Sequence, residues 1–159
     1  MLRMTSIFLT AVLLCSCSAH ASRDPAPAVA LAVPANSAST VANLDGTQWR
    51  FMKVAGASVP PKVTATLRFA NGHASGKAGC NAYGAAYHVA ADGSASFQQT
   101  LSTKMACLQP SGVMQIENGI FAAFRATARV EMRGGDNLVL LDASGQPLAT
   151  LARTDTTSR

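Results

Sequence analysis

A chain of 159 residues, 48% hydrophobic but only 6% aromatic and 13% charged, has room for one domain with appendages rather than a multidomain enzyme. Its formal net charge of +5 comes from basic residues scattered singly along the chain, without runs and without interleaved aromatics. That pattern predicts a mildly basic solvated surface and no nucleic-acid partner.

The N-terminus is expected to direct export. Met1–Thr5 carries one positive charge, at Arg3, and Ser6–Cys15 is an apolar run. At about ten residues it has the length of a signal core and is too short to span a bilayer. Leu14-Cys15-Ser16-Cys17 resembles a bacterial lipobox, with an aliphatic residue three before the acceptor cysteine and a small one directly before it. On that reading residues 1–16 form a signal peptide and Cys17 becomes the lipidated N-terminus, anchoring a periplasm-facing protein to a membrane. Ser18 at the next position favours the outer membrane. Ala19-His20-Ala21 before Ser22 offers a competing cut, which would yield a soluble periplasmic or secreted protein.

Residues 17–43 then read as the acyl cysteine and a flexible tether. They are rich in Ala, Pro, Ser and Val, and Pro25, Pro27 and Pro34 interrupt any helix. Such a segment buries too little surface to offset its ordering entropy, and its reach is roughly 25–30 Å.

The folded domain is expected over residues 44–153, with 154–159 as a frayed tail. Thr47–Ala55 reads as a first strand carrying Trp49 and Phe51 on one face. Val63, Ala65, Leu67 and Phe69 alternate with Thr64, Thr66 and Arg68, the clearest strand signal in the chain. Asn71-Gly72 supplies a tight hairpin turn, after which the glycine-containing stretch His73–Gly79 is expected to be irregular. Tyr87–Ala91 and Ser94–Leu101 flank a second hairpin turn at Asp92-Gly93. Over Val113–Arg125 the period changes: Val113, Ile116, Ile120, Phe121 and Phe124 fall at helical spacing. Strands resume over Thr127–Arg133, Leu138–Asp142 and Pro147–Ala152. The expected fold is mainly β with one helix (α+β), a small curled antiparallel sheet or partial β-barrel closed by that helix.

Catalytic machinery is not expected. His73 and His88, the histidines of the domain, have no spacing that ties them to a cysteine as a base. Gly72-His73-Ala74-Ser75-Gly76 does not centre its serine as a hydrolase elbow does, and Gly76-Lys77-Ala78 lacks the spacing and hydroxyl of a phosphate loop. The acidic residues suggest no carboxylate pair for acid–base work. Neither a metal site nor a cofactor is implied, since four ligands are not gathered in the sequence. With Cys15 and Cys17 assigned to the signal and anchor, Cys80 and Cys107 remain as an even pair in an oxidising compartment. They form either a disulfide, which would stabilise by roughly 3–4 kcal/mol, or two buried thiols that never meet.

One series of residues goes further. Leu44-x-Gly46-x-x-Trp49, Phe69, Gly79-Cys80-Asn81-x-Tyr83, Tyr87 and Thr103-x-Met105-Ala106-Cys107 follow in order. Glu117 then leads Ile120, Phe121 and Phe124, and Leu138-x-Leu140 closes the series. Together they resemble the META domain family, also called DUF306, which includes the heat-shock protein HslJ. The likeness spans residues 44–152, with Ala85 standing where the family places a glycine. It implies a small β-rich domain with a helix, in exported or lipid-anchored envelope proteins tied to stress response and antibiotic tolerance, and it implies no established enzymatic activity. Carried onto this chain, Gly79, Asn81, Tyr83, Thr103 and Met105 with the two cysteines are the family signature. They read as a structural knot: Cys80 and Cys107 join two loops, Gly79 permits a tight backbone, and Asn81 caps it by side-chain hydrogen bonds. The other role open to Asn81 and Tyr83 is contact with a ligand.

The expected function is therefore a non-catalytic envelope lipoprotein that contacts an unknown envelope protein. An alternative is a carrier of a lipid or other apolar ligand within a barrel lined by Trp49, Phe69, Phe97, Phe121 and Phe124. A further alternative is a secreted inhibitor of a lytic enzyme.

Overall fold

A computed structural model describes residues 43–154. The expected signal, Cys17 and the tether up to residue 42 lie outside the described residues, as does the tail from residue 155. In chain order the elements are β1 (Gln48–Val54), β2 (Ala57–Ser58), β3 (Thr66–Ala70), β4 (His73–Ala78), β5 (Asn81–Val89), β6 (Ala95–Ser102), α1 (Val113–Ala126), β7 (Arg129–Arg133), β8 (Asn137–Leu141) and β9 (Pro147–Arg153).

All strand pairings are antiparallel, in the order β6-β5-β4-β3-β1-β9-β8-β7, with β2 added to β1. Apolar residues alternate along β1 and β3, so Trp49, Phe51, Leu67 and Phe69 all turn to the concave side and are buried. Burying that one face curls the sheet into a half-barrel. Its two edges touch at one point, where Ala95 N–H donates to the Ala128 carbonyl at 2.9 Å and Val130 N–H donates to the Gly93 carbonyl at 2.8 Å. The helix α1 links β6 to β7 and lays Val113, Ile116, Ile120, Ala123 and Phe124 against the concave face. This is the α+β arrangement that the pattern of periods implied.

The interior is filled by aromatic rings. Phe97 stacks on Phe124 with centroids 4.4 Å apart, Phe124 meets Phe51 at 6.2 Å, and Phe69 packs against the edge of Tyr87 at 4.7 Å. Most of the rings that would line a lipid-holding barrel thus pack on one another.

Three local readings differ from the structure. The stretch expected to be irregular after Asn71-Gly72 is strand β4, paired along its whole length to β5 and over His73–Ser75 to β3. Gly76 within it is a packing requirement, since a Cβ there would sit 2.0 Å from the Thr66 carbonyl oxygen. Strand β5 begins at Asn81, six residues before the expected Tyr87, because Ala82, Gly84, Ala85 and Ala86 have too little hydrophobic contrast to show alternation. Finally, the strand expected from Val63 starts at Thr66; Val63 and Ala65 are buried ahead of it, and Ala65 bridges to Ala78.

Candidate interaction site

Asn81, the first residue of β5, is 1% exposed and sits at the centre of a polar hub. Its Oδ1 accepts from Thr103 Oγ1 at 2.7 Å and from Met105 N–H at 2.8 Å. Its Nδ2 donates to the Met105 carbonyl at 3.0 Å and to both carboxylate oxygens of Glu117, at 3.0 and 2.8 Å. Glu117 lies on the buried face of α1. One amide therefore ties the start of β5, the loop after β6 and the helix together. An amide has two lone pairs and two N–H groups, and here both ends are fully engaged.

Two further ties fasten the same loop. Cys80 and Cys107 are joined as a disulfide, with Cα atoms 6.2 Å apart. Gly79 takes φ +72°, and a Cβ at that position would lie 2.5 Å from Val113 Cγ2, so glycine lets the first turn of α1 press on the β4–β5 connection. Its N–H donates to the Thr64 carbonyl at 2.8 Å. The signature residues thus converge in space as a knot.

Tyr83 belongs to the core. Its hydroxyl donates to the Thr66 carbonyl at 2.7 Å, its ring packs against Phe121 and Phe124, and burial pushes its phenol well above the ordinary pKa of 10.0. Both residues expected to be able to meet a ligand, Asn81 and Tyr83, turn inward with their polar atoms bonded to protein. His73 and His88 stand exposed on β4 and β5.

What the knot leaves outside is apolar. Met105 is 51% exposed, Leu101 76% and Leu108 87%, so three of the large exposed apolar side chains fall within eight residues. Solvated singly such residues are ordinary; gathered on one ordered segment they mark an interaction surface. Beside them runs an open groove of about 310 Å³ lined by Ala82, Tyr83, Gly84, Leu101, Ser102 and Thr103. Among the described residues, β6 pairs only with β5 beyond the contact near Ala95, so this apolar segment also borders a sheet edge.

Sequence reasoning did not find Leu101. It shares the parity of Phe97 and so reads as inward. A bulge reverses that: Gln98 pairs with Ala86 but Leu101 pairs with Gly84, and Gln99 takes φ +50° between them. The bulge lies beside Ala85, the position where the sequence departs from the family pattern.

A curled antiparallel half-barrel, closed by one helix and locked by a Gly-Cys-Asn turn bonded to a Thr-x-Met-x-Cys loop, defines a compact class of small β-rich domains. Residues 42–155 match the META domain model, and the chain belongs to that family. Its fold is similar to that of an NMR structure of a protein from Burkholderia xenovorans, at 31% identity and a TM-score of 0.58, covering 70% of this chain and 84% of that one. No curated protein matches the chain.

Proposed function

We propose that the protein is a non-catalytic lipoprotein of the bacterial cell envelope, supporting stress or antibiotic tolerance by binding another envelope protein through Leu101, Met105 and Leu108. The observation that carries this reading is the hold on Met105. Both of its backbone polar groups are engaged by Asn81, while its side chain remains half exposed in an apolar cluster. An apolar residue presented to water on a backbone held in place suits recognition, because little loop entropy remains to be lost on binding. The envelope assignment draws on the signal-like N-terminus, the lipobox-like Cys17 and the family. The anchor would sit on Cys17, probing an outer-membrane location.

The test is a triple variant, L101S/M105S/L108S, expressed from the native locus. These side chains lie outside the core, so the variant is expected to retain its far-ultraviolet spectrum and melting temperature. It is expected to lose site-specific crosslinks from position 104, an exposed site in the same segment, to an envelope protein and to lose tolerance to envelope stress. Unchanged crosslinking and unchanged tolerance would remove the reading. Metabolic labelling with an alkynyl fatty acid, comparing wild type with Cys17→Ser, tests the anchor separately.

A further inference from the structure

The scattered basic residues of the sequence are gathered by the fold. Strands β1 to β6 contain Arg50, Lys53, Arg68 and Lys77 and not one Asp or Glu. Alternation fixes where they point. Trp49, Phe51, Leu67, Phe69, Ala74 and Ala78 are buried on the concave side, so Arg50, Arg68 and Lys77 stand exposed on the convex side. Register brings them together. Arg50 is paired with Thr66, whose hydroxyl accepts from Lys77 N–H at 3.1 Å, and Arg68 lies two residues along β3 from Thr66. Strands about 4.8 Å apart put Arg50 and Lys77 roughly 10 Å from each other, near one Debye length at physiological salt. Lys53 is exposed further along β1.

The setting of these cations matters as much as their number. The convex-side neighbours of Lys77 on β4 and β5 are short, namely Ser75, Ala82, Gly84 and Ala86, and the exposed His73 and His88 stand further along the same face. Long Lys and Arg side chains therefore stand above a low-relief surface. None of these strands presents a Phe, Tyr or Trp ring on that side, because Trp49, Phe51, Phe69, Tyr83 and Phe97 are buried and Tyr87 packs against Phe69. Among the described residues, the carboxylates lie elsewhere. Asp45 precedes β1, Asp92, Asp136 and Asp142 occupy turns, Glu117 is buried, and Glu131 pairs with Arg133 at 3.0 Å on β7.

We propose that this convex face, centred on Arg50, Arg68 and Lys77, docks on an anionic phospholipid surface. The inference rests on the envelope reading above and adds the surface by which the folded domain meets the membrane. Charge complementarity selects the partner. A low face with several cations and no carboxylate fits a plane of phosphate headgroups, whereas single-stranded nucleic acid would call for exposed rings on which bases stack. Attraction of this kind is additive over the cations and weakens as salt rises.

The experiment is vesicle co-sedimentation of the full exported chain carrying Cys17→Ser, purified from a bacterial periplasm so that no acyl chain contributes. Vesicles are neutral phosphatidylcholine, or phosphatidylcholine with about 30% phosphatidylglycerol, at low and at physiological ionic strength. Binding is expected only to the anionic vesicles and is expected to fall as salt rises. R68Q/K77Q is expected to weaken it roughly 25-fold, since each cation near the surface contributes about fivefold. R50Q/K77Q gives a second pair, and a melting curve for each verifies the fold. Equal binding to neutral vesicles, no binding to either, or binding that both pairs leave unchanged would overturn the proposal. Loss in these pairs of a crosslinked acidic protein, with no vesicle binding, would reassign the face to a protein partner. Failure of acyl labelling at Cys17 would remove the lipoprotein reading while leaving the vesicle result to stand on its own.

Discussion

Asn81 holds Met105 as a neighbouring strand would: its Oδ1 accepts the Met105 N–H at 2.8 Å and its Nδ2 donates to the Met105 carbonyl at 3.0 Å. A side chain thus substitutes for a stretch of sheet, and it orders a loop that has no strand partner of its own. The same amide supplies hydrogen bonds to the buried Glu117 carboxylate. Structure and recognition meet at this residue, because the proposed binding surface is ordered from beneath by a group that never reaches solvent.

Replacing Asn81 by alanine is therefore expected to cost about 3 kcal/mol. It removes the partner of a buried carboxylate and of two part-buried backbone groups, each worth about 1–3 kcal/mol when left unmade. Denaturant unfolding measures the loss. In a double-mutant cycle, N81A/E117A is expected to cost less than the sum of the single changes by about 1 kcal/mol, because the two share one interaction. Strict additivity would show that Asn81 and Glu117 do not support each other.

Gly79 makes a different prediction. A methyl group there would sit 2.5 Å from Val113 Cγ2 on a backbone already at φ +72°. Gly79→Ala is expected to destabilise by about 2 kcal/mol or more, combining a left-handed backbone cost of about 1 kcal/mol with the displacement of α1. The variant G79A/V113A separates the two contributions. It should behave better than the two single costs predict, since removing the valine methyls relieves the clash while the backbone cost remains. A G79A protein as stable as wild type would refute the close approach.

The sequence made the larger elements legible because strong physical signals wrote them. The strict alternation leading into β3, the helical spacing from Val113 to Phe124 and the turn pairs Asn71-Gly72 and Asp92-Gly93 each announce one local structure. Strands β4 and β5 were obscured for the opposite reason. Their inward positions include Ala74, Ala78 and Ala85, whose side chains are too small to contrast with the outward Ser75, Ala82 and Gly84. The candidate site was half legible. Gly79, Cys80, Asn81, Thr103, Met105 and Cys107 stand out through the family likeness. Their mutual contacts, and the pairing of Asn81 with Glu117 36 positions away, are set by the curl of the sheet. Leu101 and the basic face were hidden still more deeply, since one depends on a bulge and the other on register across three strands.

The disulfide between Cys80 and Cys107 closes a loop of 27 residues' separation containing β5 and β6. In the chain-entropy model such a cross-link stabilises by about 3–4 kcal/mol. The variant C80A/C107A is expected to unfold at correspondingly lower denaturant, and added dithiothreitol should lower the midpoint of wild type but not of the variant. A midpoint for wild type that does not respond to reductant, with thiol release confirmed, would show that Asn81 alone holds the knot.

Tyr83 gives the domain an alkaline limit. Burial raises the phenol well above 10.0 in the folded protein, while in the unfolded chain it titrates near its ordinary value. Below about pH 10 the proton is bound in both states, and the group contributes no pH dependence. As pH rises past that value the unfolded chain ionises first, so the folded state loses stability until its own pKa is reached. Tyr87 is shifted in the same direction, by burial first and by Asp45 beside it second, and it adds to the same trend. Tyr83→Phe isolates the contribution of the buried phenol. Near neutral pH it should be less stable than wild type by about 1 kcal/mol, the worth of the hydrogen bond to the Thr66 carbonyl. Above about pH 10 that gap should close and then reverse, because phenylalanine has no proton to lose. Urea unfolding of both proteins from neutral to strongly alkaline pH measures this directly, and a gap that stayed constant throughout would mean that Tyr83 ionises as readily folded as unfolded.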